Sequence, residues 1–158
     1  MLSPEWKDRV DHWIYKLSEE FYEPKGILNF EGYTTYEMLT EQEAEAGPFM
    51  TMPEGTKWGR MWEYGWFRTD MVADESVSGE MLVMDIRTGG EATLFVNGQE
   101  FGTHRAEWVK EPHHYICDQV LTRKAMPGEK FHILLEAYGG HDFPESPFSA
   151  IRSRTRVE

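Results

Sequence analysis

A single cysteine, Cys117, stands in a chain of 158 residues, so no intramolecular disulfide can form and no thiol cluster can hold zinc. Such usage suits a reducing compartment, and the expected location is cytoplasmic. Positive charge is scarce as well: 16 Lys and Arg stand against 28 Asp and Glu, for a formal charge of −12. Nucleic acids and anionic membranes are bound through positive charge, so neither is expected as a partner. No apolar run approaches the roughly 20 residues that a membrane helix requires. The opening Met1-Leu2-Ser3-Pro4-Glu5-Trp6 reaches charge at once, without the basic start and apolar core of a signal peptide. The chain is too short for an eightfold strand-helix barrel, which needs about 200 residues or more, and one domain is expected. Gly-x-Ser-x-Gly and His-Glu-x-x-His are both missing. The pairs Gly89-Gly90 and Gly139-Gly140 are not framed as a phosphate-binding loop. No catalytic residue and no cofactor is read from the sequence.

Aromatic side chains are plentiful, with six Trp, seven Tyr and nine Phe making 14% of the chain. The first of them lie on a helix. Ser3 is placed to cap it, Pro4 suits its first position, and Glu5 and Asp8 favour the positive end of its dipole. Trp6, Val10, Trp13, Ile14, Leu17 and Phe21 then follow at steps of four, three, one, three and four, which is one apolar stripe. Such a stripe is a packing face. It covers a sheet, or it docks onto something outside the chain.

Pro24 ends the helix and Lys25-Gly26 turns the chain, giving a first segment over residues 1–25. Residues 26–57 read as an irregular acidic connection, with Glu37, Glu41, Glu43, Glu45 and Glu54 interrupted by Pro48 and Pro53. A short strand is expected at Ile27 to Phe30. From Trp58 the pattern becomes strand-like, with Trp62, Tyr64, Trp66 and Arg68 on one face and Met61, Phe67 and Thr69 on the other. Met81 to Arg87, Tyr115 to Leu121 and Lys130 to Tyr138 give further strands. Thr93 to Phe101 reads as a tight hairpin on Asn97-Gly98, since both turn positions need positive φ. Short strands separated by turns, without intervening helices, predict a mainly β fold, an antiparallel β-sandwich over 58–150. One N-terminal α-helix precedes the sandwich, and residues 151–158 form a tail.

Six histidines raise the question of a metal. His104, His113 and His114 lie close together, with Glu107, Glu111 and Asp118 nearby, but consecutive residues of a strand point to opposite faces. No metal site is expected. Cys117 reads as a buried thiol. Glu136, inside a strand, is the one carboxylate singled out, and the expectation is that a hydrogen bond or ion pair occupies it. Trp108 lies in an expected loop between Glu107 and Lys110, as a ligand platform, a lid on the core or a contact with a partner domain. With His104 and His114 it forms the candidate carbohydrate-binding set. Trp6, Trp13, Trp62 and Trp66 are the candidates for packing against another domain.

The order of Trp58-Gly59, Trp62, Trp66-Phe67-Arg68, Gly89-Gly90-Glu91-Ala92 and Phe95-Val96-Asn97-Gly98 forms a longer pattern. Gly102, His114, Gly128-Glu129 and Leu134-Leu135-Glu136-Ala137-Tyr138-Gly139-Gly140-His141 continue it. This series resembles the N-terminal β-sandwich of α-mannosidases of glycoside hydrolase family 38, in the bacterial and fungal type. The resemblance implies a galactose-binding-like jelly roll attached to a larger glycosidase whose zinc ion and nucleophile lie in a separate catalytic domain. The implied function is a non-catalytic module, with the catalytic domain of a larger glycosidase or a second copy as partner and a glycan as a further ligand. Pro112-His113 departs from the family pattern, in which an Asp commonly precedes the histidine. An autonomous carbohydrate-binding module and a small stand-alone metal enzyme are the competing readings.

Overall fold

The computed structural model describes residues 3–20, 22–88, 91–104, 120–140 and 148–154. The helix α1 runs Pro4–Glu20, and the Oγ of Ser3 accepts from the Trp6 amide at 3.4 Å, so the expected cap is present. Ten strands follow: β1 Tyr22–Ile27, β2 Glu31–Thr35, β3 Met50–Thr51, β4 Tyr64–Val72 and β5 Leu82–Arg87, then β6 Glu91–Val96, β7 Gln99–His104, β8 Val120–Thr122, β9 Lys130–Tyr138 and β10 Phe148–Arg154. A second short helix, α2, spans Glu41–Glu45. One sheet has the order β1-β10-β5-β8 and the other β3-β2-β4-β9-β6-β7, with every pairing antiparallel.

Alternation places the core. Leu82, Met84 and Ile86 of β5 meet Phe67 of β4, Leu94 of β6 and Ile133, Leu135 and Ala137 of β9 in a single buried cluster. Each large side chain fully removed from water there contributes roughly 1.5–3 kcal/mol. The Asn97-Gly98 turn has φ values of 51° and 71°, as the hairpin requires. Asn97 also ties the turn to β9: its amide donates to the His132 carbonyl, and its Oδ1 accepts from the His132 amide, both at 2.8 Å.

Four boundaries differ from the sequence reading. The connection over 26–57 is not irregular throughout: it carries β2, α2 and β3. A capping box starts α2, with the Thr40 hydroxyl accepting from the Glu43 amide and the Glu43 carboxylate accepting from the Thr40 amide. Strand β2 is possible because Gly32 lets the backbone sit on the Phe67 ring, where a Cβ would lie 2.6 Å from Cδ1. The chain continues through Pro24 as β1, with a register shift between Pro24 and Gly26; of the strand expected at Ile27 to Phe30 only Ile27 belongs to β1, and residues 28–30 are the link after it, with Leu28 and Phe30 buried. Residues 151–154 of the expected tail continue the sheet instead, since β10 runs to Arg154 between β1 and β5. The aromatic strand begins at Tyr64 rather than Trp58. Trp58 is buried edge-on against Phe67, with ring centroids 5.0 Å apart. Most of the strand expected at 115–121 lies outside the described residues.

Candidate functional site

The six-stranded sheet turns its second face away from the core, and register sets the rows upon it. Tyr64 pairs with Tyr138, which pairs with Glu91; Trp66 pairs with Glu136, which pairs with Thr93, and Thr93 with Thr103. Arg68, Leu134 and Phe95 form the next row, and Asp70 with His132 the last. The segment around α2 covers the lower rows. Tyr33, Ala44, Trp66 and Leu134 are buried there with Leu39, Phe49 and Phe95 packed against them. The Tyr33 hydroxyl donates to the Ala44 carbonyl at 3.0 Å.

Charge fastens this cover. The Arg68 guanidinium lies 4.0 Å from the centre of the Phe49 ring and reaches Glu31 at 3.2 Å and Glu45 at 3.3 Å. His132 stands between Glu45 of α2 and Asp70 of β4, at 2.5 and 2.8 Å. Burial pulls the imidazole pKa down, but hydrogen bonding to the two carboxylates outweighs it and leaves the pKa raised.

The upper rows stay uncovered and form a groove of about 520 Å³, lined by Tyr64, Glu91, Ala92, Thr93, Thr103, Glu136 and Tyr138. Trp62 stands at its end, 56% exposed, with its ring 6.3 Å from Tyr138, while the Tyr64 ring is 5.7 Å from Tyr138. Trp62 holds a left-handed backbone, φ 69°, which is strained for a bulky residue. Its amide donates to the Gly140 carbonyl at 3.3 Å, and the Gly139 amide donates to the Glu63 carbonyl at 2.9 Å, so the turn is stitched in place. Glu136 is half-buried, and desolvation raises its carboxyl pKa. Contrary to expectation, no hydrogen bond or ion pair occupies it among the described residues. On the same row, Trp66 is buried and its indole N–H has no acceptor among the described residues.

A second cavity of about 700 Å³ opens beside β2 and β3, between Met50, Met52 and Trp58, with Lys57 and Arg60 at its wall. Among the described residues, no group of three or more His, Cys, Asp or Glu is placed to hold a metal ion.

The stripe on α1 is the other exposed feature. Every residue from Ser3 to Leu17 is exposed, Trp6 at 56% and Trp13 at 68%, with Ile14 between them in exposure. Among the described residues, the stripe from Trp6 to Leu17 is therefore left largely uncovered. Of the four packing candidates, Trp6, Trp13 and Trp62 are exposed, whereas Trp66 is buried beneath the α2 segment. His104 ends β7, its backbone opposite Ala92. Trp108 and His114, with His113 and Cys117, lie outside the described residues. Sequence reasoning singled out Glu136 but missed Tyr138, Glu91, Thr93 and Thr103 as its neighbours. The available signal was a tyrosine at the same end of two strands, Tyr64 and Tyr138, separated from Trp66 and Glu136 by one alternation step.

No curated protein matches this chain. Solved structures share its fold. A β-glucuronidase from Ruminococcus gnavus in complex with an N1-substituted uronic isofagomine superposes with a TM-score of 0.55 at 11% identity, over 85% of this chain and 30% of that chain. The same enzyme with D-glucuronic acid gives 0.54 at 11% identity, over 85% of this chain and 30% of that chain. Its apo form gives 0.52 at 11% identity, with 85% and 29% covered. The chain thus spans about 30% of the length of these glycosidases. Residues 27–148 match the family described as alpha-mannosidase, jelly roll domain.

Proposed function

From the premise that the chain belongs to the alpha-mannosidase jelly roll domain family, we propose that it is a non-catalytic shoulder of a larger α-mannosidase-type glycosidase. Its α1 helix docks onto the neighbouring part of that polypeptide. The observation that carries this reading is the uncovered stripe of Trp6, Val10, Trp13, Ile14 and Leu17. In proteins an amphipathic helix is held chiefly by what its apolar face packs on. The stripe lies before residue 27, where the family match begins. The test is assembly in trans. The chain and the remainder of the glycosidase, produced separately, are expected to co-elute on gel filtration, and Trp6→Gln with Trp13→Gln is expected to abolish this. Failure to co-elute, or co-elution indifferent to both substitutions, would count against the docking role.

Carbohydrate binding is the second reading, favoured by the open groove of tyrosines and an unoccupied carboxylate on the outer sheet face. Aromatic rings accept the C–H faces of a sugar while nearby polar groups take its hydroxyls. Trp108, His104 and His114 remain the sequence-derived candidates for such a contact.

A further inference from the structure

We propose that the groove on the outer face of the six-stranded sheet binds a neutral pyranose, stacked on the Tyr64–Tyr138 pair beside Trp62, with its hydroxyls donating to Glu136 and Glu91. The inference rests on the carbohydrate reading and gives it a site and a ligand class. A volume of about 520 Å³ lies inside the roughly 300–1,000 Å³ range of small-ligand sites. Its composition is that of a sugar site rather than of a core or a hydrated surface. Two tyrosines and an exposed tryptophan supply stacking area. Two threonine hydroxyls and two carboxylates supply polar partners in three successive strands.

The state of those polar groups points to a missing partner. A half-buried carboxylate normally holds a donor, because desolvation otherwise acts against its charge. Glu136 has none among the described residues. A hydroxyl donated by a bound sugar supplies that partner as a charge-assisted hydrogen bond. At the groove's end, Trp62 carries backbone strain on the order of 1–3 kcal/mol and keeps its ring beside Tyr138. Strain that a stitched turn sustains at an exposed aromatic is what a preorganised platform looks like.

Charge decides the class of sugar. Among the described residues, no Lys, Arg or His lines the groove, and Arg68, on the same face of β4, is occupied by Glu31 and Glu45. A uronate or a sugar phosphate placed here sets its negative charge against Glu91 and Glu136, with no counter-ion among the described residues. Rejection of anionic sugars is therefore built into the lining.

Isothermal titration of the 158-residue chain tests this, with the methyl glycosides of mannose, galactose and glucose as neutral probes and sodium glucuronate as the anionic one. Saturable binding of at least one neutral glycoside is expected, with glucuronate at least about tenfold weaker. Trp62→Ala and Glu136→Gln, one exposed and one isosteric, are each expected to weaken the neutral probe about tenfold, the scale of one stacking or charged hydrogen-bond contact. Glu91→Gln with Glu136→Gln is expected to narrow the discrimination against glucuronate. Thermal unfolding of each variant separates lost binding from lost fold. Neutral-sugar binding unchanged in folded Trp62→Ala and Glu136→Gln would overturn the groove assignment while leaving the carbohydrate reading standing. Binding of none of the neutral probes would overturn both. Glucuronate bound as tightly as the neutral glycosides would overturn the ligand class.

Discussion

Replacing Trp6 and Trp13 with glutamine, a good helix former, asks whether the α1 stripe is adhesive in its own right. The two residues are 56% and 68% exposed. An aromatic side chain buries about 150–250 Å², so the pair leaves on the order of 250 Å² uncovered. At about 25 cal/mol per Å², full cover is worth roughly 6 kcal/mol per helix. Forming a complex costs about 4–15 kcal/mol in lost freedom, so only part of that appears as affinity. If two copies of the isolated chain bury their stripes together, a net difference of about 2 kcal/mol shifts Kd roughly 30-fold. Sedimentation velocity across a wide concentration range reads this directly. The native chain is expected to associate as concentration rises, and the double variant to stay monomeric with its far-ultraviolet helical signal retained. A native chain that remains monomeric throughout, with α1 folded, would refute the reasoning that this stripe is an unmet packing surface.

Three further outcomes follow from the geometry. His132 has a raised pKa between Glu45 and Asp70, so its contribution to stability is complete below the unfolded value near 6.5 and fades as pH rises through the folded one. Urea midpoints at acidic and alkaline pH should therefore converge between wild type and His132→Gln as pH increases; a constant gap would contradict the clamp. Gly32→Ala must push a Cβ into the Phe67 ring and is expected to cost about 1–3 kcal/mol in chemical denaturation, whereas Gly26→Ala meets nothing within 4 Å. Equal effects at the two positions would remove the argument for β2. Glu136 has a raised pKa from desolvation, so its charged form opposes folding above the unfolded carboxyl pKa, and Glu136→Gln should raise the melting temperature at neutral pH. A fall would mean that the carboxylate has a stabilising partner.

The elements that announce themselves are those whose signal is local. Asn97-Gly98 needs only its own backbone preferences to make the hairpin, and Phe131, Ile133, Leu135 and Ala137 recur at every second position because one face of β9 packs on the core. The antiparallel sandwich was legible from such patterns, and the jelly-roll family from the resemblance carried by the order of its aromatic and glycine residues. What stayed hidden depends on distant partners. Helix α2 buries only Ala44, so Glu-Gln-Glu-Ala-Glu reads as a solvated run until Trp66 and Tyr33 are placed beneath it. Strand β10 carries alternating arginines and small residues, and only its neighbours β1 and β5 make it a strand. The groove is a product of register: Tyr64 and Tyr138 lie 74 positions apart and meet because β4 and β9 pair there. Glu136 was visible as an unusual strand carboxylate, but its lack of a partner among the described residues was not.

The claim on which the account turns is that the α1 stripe is covered by the rest of the glycosidase. Amide hydrogen exchange over Trp6 to Leu17, compared between the isolated chain at low concentration and the intact polypeptide, tests it most directly. Strong protection gained by this segment in the intact polypeptide is the predicted result. Equal and rapid exchange in both would contradict it.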